Sequence, residues 1–364
     1  MMSGLLITSC FLIDAFLFVT CKLFMKKFVS VLKYLFFLGL GFFLVWWQFD
    51  KMSAAQRDQF GTSLQNANYW LIIPVVIMAL LSHMSRAVRW KILIEPMGYK
   101  PSTSNTFYAV MIGYLANTFV PRAGEIIKCS LLGKYEKIPA NKLIGTVIVE
   151  RAFDFICYLI FIAITILIQV NYVSAFVKEK LTQMAANKQS FPLWGKALVF
   201  IFIIFLLVIF IKWMFKKYEH HRHIKTVKGF HLGIKEGFTA IARLKNKRWF
   251  LFHTIFIWAM YLLQIYVGFS ALQPTEHLGI AEACSVLSLA TLGMIVSPGG
   301  IGAFPLAVQE VLLIYNVDNV SLGWLIWGVS TSIILIGGLL SFGVLVYKNR
   351  KKNETKSAAI TENL

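Results

Sequence analysis

Long apolar runs with few charges constrain this sequence most. Leu322–Tyr347 contains no charged side chain, and Ala152–Val177 contains only Asp154. A helix needs about 20 such residues to cross a hydrocarbon core of about 30 Å. With 58% hydrophobic residues and a mean hydropathy of +0.68, the chain has too little polar surface for a soluble domain. We expect an all-α, polytopic transmembrane bundle of about seven spans.

One membrane domain accounts for most of the chain. The apolar runs and their charged flanks occupy residues 25–347, and a basic tail occupies residues 348–364. Residues 1–24 form either an extra helix or an extension upstream of the true start. The second interpretation is favoured, because Met25-Lys26-Lys27 already supplies the positive flank of a first span.

The positive charge lies where membrane topology places it. The net charge is +19, and the predicted outer loops hold five Lys and Arg residues, whereas the loop Lys216–Arg248 and the tail Lys348–Leu364 hold fifteen. This bias predicts a multi-pass membrane protein with a cytoplasmic C-terminus. Nucleic-acid binding is not expected, because the basic residues flank apolar runs instead of forming a separate basic face.

Histidines and cysteines form no recognisable metal or redox motif. Adjacent histidines rarely close a metal site without fixed i, i+4 spacing or a carboxylate, which applies to His220, His221, His223 and His231 in the basic loop. The five cysteines include no CxxC pair and are predicted to be reduced side chains in apolar surroundings. No metal and no cofactor are expected.

Two regions each contain a pair of short apolar segments around a break. Asn105–Phe119 and Ile126–Gly133 flank the first break, and Ala283–Val296 and Leu306–Tyr315 flank the second. Each segment is too short to span. Basic residues near the first pair, and their absence near the second, predict re-entrant hairpins that enter from opposite faces. Paired broken helices indicate a transport site near the bilayer midplane.

The first break carries charge at its tip. The motif N-T-F-V-P-R-A-G-E occupies residues 117–125, and its candidate binding residues are Asn117, Pro121, Arg122 and Glu125. Arg122 and Glu125 are three residues apart and are predicted to pair across the break. Arg122 would then meet a phosphate in a cavity. The alternative is an interfacial loop whose charges reach water.

Three charges lie deep in another predicted span. If its helix begins near Asn141, Arg151 lies about 15 Å along it, close to the centre of the bilayer. Charges at that depth need partners or water. Glu150 and Asp154 share a helix face, and Arg151 and Asp154 are three residues apart. We interpret the group as a substrate site, with a structural ion network as the alternative.

Two further motifs each have more than one conceivable interpretation. Arg86 and Arg89, with Trp90, stand at a predicted cytoplasmic helix end, where such residues ordinarily anchor a helix at the interface; head-group capture is the alternative. The run S-P-G-G-I-G at residues 297–302 is not a nucleotide loop, because no Lys-Ser or Lys-Thr follows it. It is predicted to be an unwound tip that approaches a substrate through Pro298, Gly299, Gly300 and Gly302.

Four motifs together resemble the transmembrane, flippase-like domain of lysylphosphatidylglycerol synthases. They are R-A-V-R-W at 86–90, N-T-F-V-P-R-A-G-E at 117–125, E-R-A-F-D at 150–154 and S-P-G-G-I-G at 297–302. With the order of the spans, the resemblance covers nearly everything from Met25 to Tyr347. It implies a lipid-associated bacterial inner-membrane protein that moves lipid between leaflets.

The sequence departs from that family at two points. The synthases carry a soluble C-terminal aminoacyl-transfer domain, whereas this sequence ends in a short tail, so synthesis is not expected. The family commonly has a glutamate three residues after the last glycine of S-P-G-G-I-G, where this chain has Pro305, and Glu310 is the candidate substitute. Glycosyl transfer ranks lower, because the sequence has no DxD motif to hold a metal and a sugar nucleotide.

The favoured hypothesis is binding and translocation of a phospholipid with an anionic head group. Arg122 and Arg151 would supply positive charge, while Glu125, Glu150 and Asp154 would orient these arginines. One alternative is a membrane-embedded transferase for a lipid-linked substrate, with Glu125 or Asp154 as general base. Another is a non-catalytic scaffold. Membrane lipids are the expected partners, and a homo-oligomer is a further option.

Overall fold

The computed structural model of the chain describes residues 35–36, 38–120, 122–169, 244 and 246–361, with side chains up to residue 348. The predicted span Leu193–Phe215, the four histidines of the basic loop, Pro121 and residues 1–24 lie outside the described residues.

The described residues form helices joined by short turns, and they contain no β-strand. In chain order the helices are α1 (residues 38–51), α2 (Ala54–Gln65), α3 (Ile72–Ile94), α4 (Thr103–Phe119), α5 (Ala123–Glu136), α6 (Ala140–Ile168), α7 (Lys247–Phe269), α8 (Ile280–Val296), α9 (Ala303–Ile314) and α10 (Ser321–Thr361). The predicted all-α fold is confirmed, and α10 continues into the predicted tail.

Four helices of the described region are long and apolar enough to cross a membrane: α3 with its flanking turns, α6, α7, and α10 as far as Lys348. The start of α6 follows a local signal, because Pro139 directly precedes it and proline suits a helix start but not its interior. Apolar side chains face outward, with Leu167 73% and Ile255 68% exposed. Lipid, not water, is the solvent that stabilises such a surface.

The two short pairs form antiparallel helical hairpins, α4 with α5 and α8 with α9. At the open end of the first hairpin, Asn105 Nδ2 donates to Glu136 Oε1 (2.6 Å). At the open end of the second, Ser285 Oγ lies 2.8 Å from the Tyr315 hydroxyl. Both hairpins match segments predicted from the sequence, while their re-entry into a bilayer remains a prediction.

The hairpins start at opposite ends of the bundle. Helices α3 and α7 pack antiparallel, with Asn68 N donating to Ala271 O (2.9 Å) at one end and Ser85 Oγ lying 2.8 Å from His253 Nδ1 towards the other. Helix α4 follows the end of α3, and α8 follows the end of α7. The two hairpins therefore begin at opposite ends of the α3–α7 pair.

The contacts between helices repeat in the two halves of the bundle. In the first half α3 packs against α4, α4 against α5 and α5 against α6; in the second, α7 packs against α8, α8 against α9 and α9 against α10. The last helix of each half also packs against the hairpin of the other half: α6 packs against α8, and α10 packs against α4. Because the halves start at opposite ends, this is the arrangement of an inverted-topology repeat, which many transporters build around a central site.

The tips of the two hairpins touch. A Cβ on Gly299 would lie 3.3 Å from Thr118 Cγ2, and Trp327 Nε1 donates to Gly299 O (2.8 Å). Gly302 has a φ of +71°, and a Cβ there would lie 2.6 Å from Gly41 O of α1. Left-handed backbone and close approach both require glycine at Gly302. The second break is an unwound tip, as predicted.

Apolar packing fills the two halves separately. One core cluster, containing Phe269 and Leu312, joins α7, α8, α9 and the start of α10. Another, containing Trp90 and Leu143, joins α3, α4, α5 and α6. Three of the five cysteines are described, and Cys129, Cys157 and Cys284 are free thiols.

Candidate functional site

Five charged side chains meet between α3, α5 and α6, and we call them the ion cluster: Arg86, Arg89, Lys128, Glu150 and Asp154. Arg86 and Arg89 are three residues apart on α3, and Glu150 and Asp154 are four apart on α6, so each pair shares a helix face. At 1.5 Å per residue, Arg86 lies about 12 Å before the end of α3 and Glu150 about 15 Å after the start of α6. The depth of Glu150 agrees with the prediction for this helix, whereas Arg86 was predicted at a helix end and lies inside α3.

Each carboxylate of the ion cluster is shared by cations from other helices. Glu150 Oε2 accepts a hydrogen bond from Lys128 Nζ (2.9 Å), and its Oε1 lies 3.3 Å from Arg86 Nη1 and 3.5 Å from Arg89 Nη2. Asp154 lies 2.7 Å from Arg86 Nη1 and 2.6 Å from Arg89 Nη2, the latter a close charge contact without hydrogen-bond alignment. Buried charges of this kind are tolerated only when paired.

Helix α7 closes the fourth side of the ion cluster with uncharged groups. Arg86 Nη2 donates to the Tyr261 hydroxyl (3.2 Å), and Arg89 Nη1 donates to Thr254 Oγ1 (3.2 Å). The side chain of Arg89 is fully buried and that of Arg86 only 8% exposed. Both arginines are therefore held by two helices at once, α6 through charge and α7 through neutral acceptors.

The ion cluster has a surplus of positive charge and of hydrogen-bond donors. Its three cations face two carboxylates, which leaves one positive charge in excess. The Nε atoms of Arg86 and Arg89 are buried and have no hydrogen-bond partner within the described part of the chain. Buried donors normally have acceptors, and an anion supplies both acceptors and the missing negative charge.

The interface-anchor interpretation of the R-A-V-R-W motif was wrong. Arg89 and Trp90 are completely buried, and Trp90 Nε1 donates to Thr146 Oγ1 of α6 (2.9 Å). The Trp90 ring also lies 4.5 Å from Lys128 Nζ, within cation–π range. The physical reason is that α3 continues to Ile94, so the motif lies inside the helix and not at its end.

Arg151 pairs with the first hairpin. Its Nη2 atom lies 3.1 Å from Glu125 Oε1, next to the hairpin tip. The predicted pair between Arg122 and Glu125 is absent from the ion pairs of the described residues, and this prediction was wrong. Arg122 is exposed and has a φ of +67° just before α5, so helical spacing does not place it beside Glu125. Asp154, which is three residues from Arg151 in the sequence, pairs with the two arginines of α3.

The other predicted residues lie at the tips or on the surface, away from the ion cluster. Asn117 Oδ1 accepts from Gly124 N (2.8 Å) and ties the ends of α4 and α5 together. Glu310 is exposed on α9 and forms no ion pair with the described residues. The remaining four form the unwound second tip: Pro298, Gly299, Gly300 and Gly302.

Sequence reasoning missed Lys128, Thr254 and Tyr261 as members of the site. Arg151 was identified by the rule that an ionisable residue within an apolar helix marks a functional site, and this rule also applies to Lys128. Thr254 and Tyr261 carry no comparable signal, because hydroxyl side chains are common in spans. Their role follows only from the packing of α7 against α3.

The Glu125–Arg151 pair is expected to contribute little stability. The two side chains are 26% and 42% exposed, and charges exposed at this depth need water around them. We therefore expect Arg151→Gln to lower the free energy of unfolding by at most about 1 kcal/mol, measured by urea or SDS titration in detergent. Glu125→Gln and the double variant should lower the free energy of unfolding by a similarly small amount. A loss of several kcal/mol in any of the three variants would show that lipid, not water, surrounds the pair.

Comparison with known proteins places this site in a family. The family described as "Lysylphosphatidylglycerol synthase TM region" matches residues 30–352, which include every residue of the ion cluster and both hairpins. The chain belongs to this family. The resemblance seen in the four motifs is confirmed.

Three archaeal proteins, each named UPF0104 membrane protein, are similar to this family member. The one from Pyrococcus horikoshii is 22% identical over 334 residues, 85% of this chain and 93% of the relative. The one from Methanothermobacter thermautotrophicus is 23% identical over 300 residues, 76% of this chain and 80% of the relative. The one from Methanocaldococcus jannaschii is 33% identical over 101 residues, 27% of this chain and 30% of the relative. No solved structure matches the chain. The expectation of a purely bacterial family was too narrow.

Proposed function

We propose that the protein binds the phosphate of an anionic phospholipid at the ion cluster and moves that lipid between the two leaflets. The observation that carries this proposal is the excess positive charge of the ion cluster, together with the unpartnered Nε donors of Arg86 and Arg89. Guanidinium groups match phosphate in both charge and geometry. Phosphate is also the group that a phospholipid must carry across the hydrocarbon core at the greatest cost.

The arrangement of the hairpins supports movement of the lipid and not binding alone. The hairpins start at opposite ends of the bundle, their tips touch, and the helix contacts follow an inverted repeat. In transporters with such repeats, the substrate site lies between the halves, and rocking of one half against the other exposes it to each side in turn. The ion cluster lies where α3 of the first half meets α7 of the second.

A phosphate would compete with the carboxylates for the same arginines. Asp154 is the carboxylate at which exchange is easier, because its side chain is 15% exposed whereas that of Glu150 is fully buried. When phosphate replaces Asp154, Arg86 and Arg89 keep their bonds to α7 and their contact with Glu150. The site thus passes between its empty and occupied forms without an unpaired guanidinium group.

Leaflet exchange in liposomes tests the proposed function. Purified protein is reconstituted with a fluorescent phosphatidylglycerol, and dithionite quenching reports the fraction of label that exchanges between leaflets. Truncating one member of a buried charge pair costs about 2–5 kcal/mol of binding, so Arg86→Ala should weaken lipid binding at least roughly 30-fold and abolish most of the exchange. The matched control is Arg57→Ala, since Arg57 is exposed on α2 and its side chain donates to the Phe49 carbonyl oxygen (3.2 Å), away from the ion cluster.

Two results would count against translocation. Exchange by Arg86→Ala at the wild-type rate would remove the ion cluster from the pathway. Conversion of the labelled lipid into a product with a different head group would instead support the transferase alternative. Size-exclusion profiles of each variant distinguish loss of function from loss of folding. Arg86→Lys keeps the charge but not the forked donors of the guanidinium group, so its exchange rate should lie between those of the wild type and Arg86→Ala.

A further inference from the structure

A cavity of about 270 Å³ lies between α6 and the second hairpin, apart from the ion cluster. Its described lining is mostly apolar and includes no charged side chain. The polar groups that reach it are hydroxyls and one amide, contributed by Tyr158, Thr165, Gln169, Ser285, Ser288 and Tyr315. A mostly apolar cavity with a few convergent polar groups is the usual form of a small-molecule site.

Gln169 is the residue of this cavity that points to a ligand. The hydroxyls bond within the protein: Tyr158 donates to Ser288 O (2.6 Å), and Thr165 Oγ1 lies 3.1 Å from Ser288 Oγ. Gln169, by contrast, is only 4% exposed, and its Nε2 atom has no hydrogen-bond partner in the part of the chain that the structure describes. A buried donor without an acceptor is destabilising, so a ligand that brings an acceptor is favoured here.

The length of α6 places the cavity near the head-group region of a bilayer, next to the lipid ester groups. Gln169 follows directly after α6, which is 29 residues long and therefore about 44 Å in length. That length equals the full thickness of a bilayer with its head-group regions, about 40–45 Å. Exposed rim residues, Ile166 at 48% and Leu292 at 44%, open the cavity sideways to the hydrocarbon.

A polar face of α6 connects this cavity with the ion cluster. The polar residues along it follow steps of four or seven, which place them on one side of a helix: Glu150, Asp154, Tyr158, Thr165 and Gln169. From Glu150 to Gln169 this face is about 28 Å long. It passes from charged groups at its inner part to neutral groups at its end.

We propose that the cavity binds the glycerol backbone of a diacyl phospholipid, with Gln169 Nε2 donating to an ester carbonyl and an acyl chain packed against Ile166 and Leu292. A neutral carbonyl fits an uncharged lining, whereas a phosphate there would lack a counter-charge. Binding at this cavity does not depend on transport. Its role as the far-side position of the transported lipid rests on the proposed function.

The test compares two lipids that differ only in the carbonyls. Equilibrium binding to detergent-solubilised protein is measured with diester phosphatidylglycerol and with its diether analogue. Wild-type protein should bind the diester about three- to tenfold more tightly, the effect of one hydrogen bond. Gln169→Leu and Gln169→Met should lose this preference and bind the two lipids equally. Gln264→Leu is the control, because Gln264 Nε2 already donates to Met260 O (3.0 Å).

The outcomes separate this site from the ion cluster. Arg86→Ala should remove binding at the ion cluster for both lipids and leave the Gln169-dependent preference for the diester. Equal affinity of the wild type for diester and diether, or a preference that persists in both Gln169 variants, would overturn the proposal. If the diester preference depends on Gln169 but the protein shows no leaflet exchange, the proposal for this cavity stands and the proposal of translocation is wrong.

Discussion

Replacing Glu150 with glutamine is expected to lower the free energy of unfolding by about 3–5 kcal/mol. The change keeps the size of the side chain but removes the negative charge that lies 2.9 Å from Lys128 Nζ. Lys128 is 5% exposed and would lose its anionic partner, and Asp154 would be the only carboxylate left in the ion cluster. SDS titration in detergent micelles, followed by circular dichroism, measures the loss.

The control and the second-site variant make this prediction specific. Glu310→Gln removes the same charge from an exposed position on α9 and should leave stability nearly unchanged. Adding Lys128→Met to Glu150→Gln removes the cation that lost its partner, so the double variant should be more stable than Glu150→Gln alone. If Glu150→Gln unfolds together with Glu310→Gln, the charges do not hold α3, α5 and α6 together as described.

The second large effect is expected at the close contact inside the first hairpin. A Cβ on Gly124 would overlap Gly113 O and lie 2.7 Å from Asn117 Oδ1. Because the first of these atoms is backbone, α4 and α5 must move apart to admit a methyl group. We expect Gly124→Ala to cost about 3 kcal/mol or more, the upper part of the range for overpacking. Leaflet exchange should fall as well, since Lys128 lies one turn further along α5.

Gly145→Ala is the matched control for the hairpin variant. Gly145 also lies in a helix, but nothing lies within 4 Å of an added Cβ. Alanine there should stabilise the protein by roughly 0.5–1 kcal/mol, because glycine loses more backbone entropy on folding. The two glycine variants should therefore change stability in opposite directions. A Gly124→Ala protein as stable as Gly145→Ala would contradict the tight α4–α5 contact.

The depth of the ion cluster explains why the effect of Glu150→Gln should be large. In water, ion pairs of this kind contribute up to about 1 kcal/mol, as expected for Glu125 and Arg151. In the ion cluster the charges are removed from solvent, so each one depends on its partners for nearly all of its stabilisation. The same dependence makes the cluster sensitive to a bound phosphate, which would replace one set of partners by another.

The amino-acid sequence by itself determined the features whose causes are local. Whether a segment can cross a bilayer depends on its own length and apolarity, so the run Leu322–Tyr347 predicted the spanning part of α10. The helix predicted to begin near Asn141 is α6, which begins at Ala140. A proline followed within a few residues by glycine disfavours a continuous helix, so the two breaks and the short helical segments beside them were predicted too. The rule that a charge inside an apolar run needs a partner directed attention to Glu150 and Asp154 before any partner was known.

Only the tertiary structure decided which charges pair. Arg86 and Glu150 are 64 residues apart and lie on different helices, and their contact depends on how α3 packs against α6. The sequence therefore suggested the nearest pair, Arg122 with Glu125, whereas the folded chain joins Glu125 to Arg151. Spacing along one helix determines on which face of that helix a side chain lies. Which neighbouring helix packs against that face is decided by the burial of apolar surface along both helices.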